Sequence, residues 1–121
     1  MQNTASPHSY SLPAFAVHLL SSLVEIPGWA KGNRELFAAF EIIQLLDELP
    51  EIKAAPAGVK RARSQREALD LEGEWCRTPV AFSLTDKQRD SVRICLRSVR
   101  DSGQIGAGFA TVALLKTFDV E

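Results

Sequence analysis

The sequence predicts a compact all-α domain of four to five helices. Three observations support this fold class: apolar residues recur at intervals of three and four along most of the chain, good helix caps precede these runs, and proline or glycine follows them. The 121 residues are 45% hydrophobic and 24% charged, which is typical of one globular domain. We expect residues 9–121 to form this domain and residues 1–8 to be a flexible tail.

The first helix is predicted to begin at Ser11, a residue type that caps helix N-termini, with Pro13 in its first turn. Pro27 and Gly28 end this helix. Trp29 follows in the connection, where its ring is expected to fill the corner between two helices; an exposed anchor for a partner is the alternative. The apolar residues of the first helix share one face: Phe15, Leu19, Leu20, Leu23 and Ile26.

Asn33 is the expected cap of a second helix, which extends to about Leu49 and ends at Pro50. This helix is apolar over more than one side, so we expect it to form the centre of the core and to keep a surplus apolar face for a partner. Phe37 is the candidate partner-binding residue of that face. The apolar residues of the helix are Leu36, Phe37, Ala39, Phe40, Ile42, Ile43, Leu45, Leu46 and Leu49.

Residues 54–79 are expected to be an irregular, charged connection, because the apolar pattern weakens there. A short helix over residues 59–71 is the alternative, since charges of opposite sign lie within one turn of each other. Four basic residues open this segment: Lys60, Arg61, Arg63 and Arg66.

An extended segment is predicted next, because apolar Val80, Phe82 and Leu84 alternate with smaller residues. A minor pairing of two short strands, around Tyr10 and Phe82, is the most β-structure that we expect. The other side of such a ribbon would face solvent.

Thr85 and Gln88 form a capping box that predicts a third helix, which extends to about Asp101 and is followed by Gly103. A fourth helix is expected over residues 106–118. Each half of the chain then has a lead, a helix, a glycine turn and a second helix, so the domain is a candidate for two similar helical hairpins. Chance likeness between short hairpins is the alternative.

Four arginines of the third helix are spaced by four, four and three residues and therefore share one face: Arg89, Arg93, Arg97 and Arg100. Aspartates within one turn favour pairing inside the helix. Docking on an acidic protein and binding of nucleic acid are the alternatives. The basic segment from Lys60 to Arg66 would support the nucleic-acid interpretation if it folded beside the stripe, although neither set has interleaved aromatic residues.

Composition argues against several kinds of site. The formal net charge is −1, so no strong field attracts nucleic acid or an anionic membrane. His8, His18, Cys76 and Cys95 lack the spacing of a zinc site, and Cys76 is the thiol expected to be more exposed. No constellation of nucleophile and base is present. We therefore expect no metal, no cofactor and no enzymatic activity.

A cytoplasmic location and no membrane insertion are expected. The segment from Leu12 to Ile26 is apolar, but no basic residue precedes it and His18 and Glu25 interrupt it. It is also too short to span a bilayer comfortably. Two cysteines fit a reducing compartment.

The segment Val80-Ala81-Phe82-Ser83-Leu84-Thr85-x-x-Gln88 opens a helix, and a glycine turn leads to a second one. This layout resembles that of small helical accessory proteins encoded by phages and prophages. The resemblance implies a binding role, in assembly or in the inhibition of a host protein.

Protein binding without enzymatic activity is the function that these observations predict. The partner would be another protein or a second copy of the chain, held through Trp29, Phe37 or the arginine stripe of Arg89, Arg93, Arg97 and Arg100. The alternative is a nucleic-acid-binding or transcription-regulating protein that uses the stripe together with Lys60, Arg61, Arg63 and Arg66.

Overall fold

The computed structural model describes residues 8–26, 28–103 and 108–120. This part of the chain is mostly helical, with a small antiparallel sheet of two strands, which agrees with the predicted all-α class and its minor strand pairing. The described residues contain seven helices rather than the four to five predicted, because short helices form between α2 and β2. The elements in chain order are β1 (His8–Pro13), α1 (Ala14–Glu25), α2 (Asn33–Asp47), α3 (Pro50–Lys53), α4 (Ala57–Arg61), α5 (Gln65–Arg77), β2 (Pro79–Leu84), α6 (Asp86–Asp101) and α7 (Phe109–Thr117).

The two strands pair as the sequence predicted, with Tyr10 opposite Phe82 and Leu12 opposite Val80. The inner side of β2 is buried, that of β1 is buried at Leu12 and half-buried at His8 and Tyr10, and the serines of both strands face outward. The predicted start of the first helix at Ser11 is wrong, because this residue lies in β1 and the helix begins at Ala14. Pairing with β2 satisfies backbone groups that a helix would otherwise have used.

The predicted tail of residues 1–8 is too long by one residue, since His8 already pairs with Leu84 in the sheet. Residues 1–7 lie outside the described residues. Within the described ranges, no helix combines the length and the apolar character needed to cross a membrane.

The centre of the core is α1 rather than α2, which corrects the prediction. Eight of the twelve residues of α1 are buried, and α2, α5, α6 and α7 all pack against it. In contrast, only four of the fifteen residues of α2 are buried: Ala38, Ala39, Ile42 and Leu46. Because α2 packs mainly on α1, α3 and α6, one side of it stays open to solvent.

The segment 54–79 contains two helices, so the expectation of an irregular connection is also wrong. Ser64 caps α5 by accepting a hydrogen bond from the backbone N–H of Glu67 at 3.1 Å. Ala68 and Cys76 are buried on the inner side of α5, and partly buried Leu69 and Trp75 also pack against the core, so this charged helix is held against α1. Its backbone departs from helical geometry at Glu72.

The capping box of α6 is confirmed. Thr85 Oγ1 accepts a hydrogen bond from Gln88 N–H at 3.2 Å, and Gln88 Oε1 accepts one from Thr85 N–H at 2.9 Å. The helix ends at Asp101 as predicted, and Gly103 follows with a left-handed φ of 72°. The last helix begins at Phe109, whereas the start predicted at residue 106 lies outside the described residues. The two similar hairpins stay a prediction.

Candidate protein-binding surface

Among the described residues, the two most exposed large apolar side chains, Phe37 and Phe40, lie together on one side of α2, and Leu36 lies beside them. Phe37 and Phe40 are 70% and 68% exposed, and Leu36 is 46% exposed. Ile94 of α6 is exposed to a similar extent as Leu36. We call Leu36, Phe37 and Phe40 the outer α2 surface. The sequence predicted an apolar surplus on this helix, and the structure locates it.

The inner side of α2 explains why the outer α2 surface cannot be buried within the domain. Side chains turn by about 100° per helical residue, so those on opposite sides of α2 cannot both contact α1. Ala39, Ile42 and Leu46 occupy the inner side and belong to the core. Ser21 Oγ of α1 also donates a hydrogen bond to Asp47 Oδ1 at 2.8 Å, which fixes the end of α2.

Two clefts border the outer α2 surface. The cleft between α2 and α6 has a volume of about 530 Å³, and Phe37, Ala38 and Ile94 form its apolar wall. The other lies at the corner between α1 and α2, has a volume of about 430 Å³, and is lined by Leu36 and Phe40. The exposed phenylalanines therefore form a ridge between two depressions, a shape that suits a helix or loop of another protein.

Charged residues accompany this ridge on the α6 side. Arg34 and Glu41 both line the cleft between α2 and α6, with Phe37 between them along the helix. Both side chains are exposed, and neither takes part in the ion pairs found among the described residues.

Trp29 fills the corner after α1 and is only 3% exposed. Its indole Nε1–H donates a hydrogen bond to the backbone oxygen of Val24 at 3.0 Å. This confirms the corner-filling interpretation, whereas an anchor exposed to solvent is contradicted by the burial of the ring.

The arginine stripe of α6 is divided between local pairing and exposure. Arg89 lies 3.2 Å from Asp90 Oδ1, and Arg100 lies 3.0 Å from Asp101 Oδ1. Arg100 also donates to the backbone oxygen of Val120, which ties α6 to the segment after α7. Arg97 is exposed. Pairing within the helix is therefore present, but between adjacent residues rather than across a turn.

Arg89 and Arg93 line a polar cleft of about 440 Å³ between β1, α6 and the end of α7. His8 Nε2 contacts both the Arg89 guanidinium, at 3.2 Å, and the Asp86 carboxylate. The hydrogen bond from His8 lowers the pKa of Asp86, with a smaller contribution from the charge of Arg89. Burial raises the pKa of Tyr10 in the same cleft, and the two arginines oppose this shift.

The second basic set lies elsewhere. Arg63 lines a different cleft, between α1, α4 and α5, which it shares with His18 and Thr111. Lys60, Arg61 and Arg66 are exposed on α4 and at the start of α5. Arg63 and the pair Arg89 and Arg93 therefore line separate clefts, and no described cleft joins the two basic sets into one groove for a nucleic-acid backbone.

Both thiols are buried, so the expectation that Cys76 is more exposed is wrong. Cys76 Sγ contacts the backbone oxygen of Ala68 at 3.6 Å, and Cys95 Sγ contacts that of Leu23 at 3.5 Å. Burial raises the pKa of Cys76 and raises that of Cys95 to about 12, so neither is a reactive thiolate at neutral pH. Among the described residues, no three metal-binding side chains lie close enough together to hold an ion.

Comparisons with known proteins give no match, whether to a family model, to a curated protein or to a solved structure. The candidate site therefore depends on the geometry of the chain alone. Sequence reasoning singled out Phe37 as the partner-binding residue of α2 and placed Leu36 and Phe40 in the apolar set of the helix without saying which side they face. The signal that separates them was present, since Ala39, Ile42 and Leu46 already form a complete inner stripe.

Proposed function

We propose that the protein is a protein-binding module without enzymatic activity and that the outer α2 surface is its contact region. The observation that supports this proposal most is the exposure of Phe37 and Phe40, two aromatic rings one helical turn apart that α1 leaves uncovered. Burying a phenylalanine side chain contributes about 1.5 to 3 kcal/mol, which is available only when a partner covers the ring.

The surroundings of the two rings support binding rather than accidental exposure. Aromatic side chains are enriched among the residues that contribute most to protein–protein affinity, and contiguous apolar patches mark interaction sites. Arg34 and Glu41 provide a charged rim beside Phe37, as interfaces with an apolar centre commonly have. The role in assembly or in the inhibition of a host protein, which the resemblance to phage accessory proteins implies, belongs to this proposal.

The arginines give less support to the nucleic-acid alternative. Arg89 and Arg100 are held by neighbouring aspartates, so their charge is partly compensated before any phosphate approaches. Arg93 and Arg97 remain as the strongest candidates on α6. This alternative stays a prediction, which nuclease treatment of a lysate tests.

The experiment is capture of partners from lysate by the tagged protein, with and without nuclease, followed by mass spectrometry. Three proteins are compared: the parent, the double variant Phe37→Ser/Phe40→Ser, and Leu71→Ser. Leu71 is a matched control because it is 53% exposed but lies on α5, away from the outer α2 surface. We expect the parent and the control to recover the same protein in both lysates, and the double variant to lose it.

Two results would contradict the proposal. Equal recovery by the double variant would show that the exposed rings do not hold the partner. Recovery that disappears with nuclease would instead favour nucleic acid, and Arg93→Ala and Arg97→Ala should then reduce it. Unchanged unfolding midpoints of the variants in urea show that the domain is intact.

A further inference from the structure

We infer that the protein that covers the outer α2 surface is a second copy of this chain, with the two α2 helices antiparallel across a two-fold axis. This inference rests on the proposed function, because it names the partner of the same surface. Both the rings and the charges along α2 are spaced in a way that suits such a pairing.

The two exposed rings are suited to pairing with themselves. Phe37 and Phe40 are three residues apart and lie side by side on the open side of α2. A two-fold axis that passes midway between them brings Phe37 of one copy against Phe40 of the other, and the reverse contact follows by symmetry. Both rings are then covered by a single pairing of helices.

The charges beside the rings favour the antiparallel direction. Arg34 and Glu41 are seven residues apart, so they lie two turns apart on nearly the same side of the helix, separated by about 10 Å along its axis. In an antiparallel pair this side faces its own counterpart, and Arg34 of each copy therefore faces Glu41 of the other. A parallel pair related by a two-fold axis would instead place these charges of the two copies on opposite flanks of the ridge, so that Arg34 of one copy could not reach Glu41 of the other.

One register satisfies both requirements. The midpoint between Phe37 and Phe40 and the midpoint between Arg34 and Glu41 differ by one residue. In the register set by the rings, Arg34 and Glu41 of the other copy are therefore offset by two residues, about 3 Å along the helix, which their long side chains can span. Ile94, which is exposed on the far wall of the cleft beside these charges, lies where the second helix would cover it.

Charge reversal tests this arrangement, with the mass measured by light scattering after size exclusion. We expect the parent to be a dimer. Arg34→Glu alone and Glu41→Arg alone should each weaken dimerisation at least about tenfold, because each change replaces two attractive contacts by two repulsive ones. An equimolar mixture of the two variants should dimerise again, since the two carboxylates of one variant then face the two guanidinium groups of the other.

The control is Lys116→Glu, which makes the same reversal at an exposed position of α7 and should leave the dimer unchanged. A monomeric parent at high micromolar concentration would overturn the inference, and so would a dimer that is insensitive to both reversals or a mixture that fails to dimerise. If the parent is monomeric but Phe37→Ser/Phe40→Ser still loses a captured protein, the inference fails and the proposed function stands. If Phe37→Ser/Phe40→Ser changes neither the mass in solution nor the recovery of a captured protein, the inference and the proposed function both fail.

Discussion

The helices α1 and α2 are both rich in apolar residues, yet they use them in opposite ways. Other elements surround α1, so that Val17 and Leu20 are fully buried, whereas α2 contacts the domain along one side and leaves Phe37 in solvent. Burial of the apolar residues of α1 therefore stabilises the fold, whereas those of the outer α2 surface stay in solvent and gain little from folding. An apolar count alone does not distinguish the two helices, but their packing neighbours do.

The largest difference is expected from the same substitution made in each helix. Leu20→Ala removes a fully buried side chain from α1 and should lower the free energy of unfolding by about 2 to 5 kcal/mol. Leu36→Ala on α2 should lower it by less than about 1 kcal/mol, because nearly half of that side chain is already in solvent. Urea unfolding measures both values, and equal losses would remove the distinction between the helices.

A smaller effect is expected where the two helices are joined. Ser21→Ala removes the hydrogen bond from α1 to Asp47 of α2 and should cost about 1 kcal/mol. The adjacent Ser22 is the matched control, since it is exposed and its hydroxyl donates to His18 O within α1 itself. Ser22→Ala should be neutral or slightly stabilising because alanine favours the helix. Similar losses for both serines would mean that this contact does not fix α2.

The smallest effect concerns pH and the one histidine of α1. Burial lowers the pKa of His18 below its usual 6.5, a shift that Asp47 partly opposes. Below about pH 6.5 the unfolded chain binds more protons than the folded one. The contribution of His18 to the free energy of unfolding should therefore be fully present above about pH 6.5 and be lost as the pH falls toward the lowered pKa. The variant His18→Gln should show a shallower decline when urea unfolding is measured at pH 7 and pH 5. An unchanged slope would assign the pH dependence to other groups.

Features set by residues close in sequence were predicted well. The capping box joins Thr85 and Gln88, which are only three residues apart, and Trp29 after a Pro-Gly pair identified the corner. A minor pairing around Tyr10 and Phe82 was predicted as well, although these residues are distant in sequence; it depended on the alternation of Val80, Phe82 and Leu84 and on the similar leads of the two halves.

Features that depend on distant contacts were missed. Ser11 and Pro13 are good residues for a helix start, but they pair with residues near position 80, and that competing interaction decides their structure. Similarly, α2 has enough apolar residues to be central, and only the position of α1 shows which of them face outward. The candidate site was therefore predicted as a helix with Phe37 on it, while Leu36 and Phe40 emerged from the packing.

The position of α1 in the chain has a consequence for synthesis on the ribosome. The most enclosed helix is made early, but α7, one of the helices that cover it, is completed about a hundred residues later. At ordinary elongation rates this delay lasts roughly 5 to 20 seconds. During that interval the nascent helix has α2 and the short α3 as neighbours but lacks α6 and α7, so chaperone capture or premature association would be concentrated on the side that these two later helices cover.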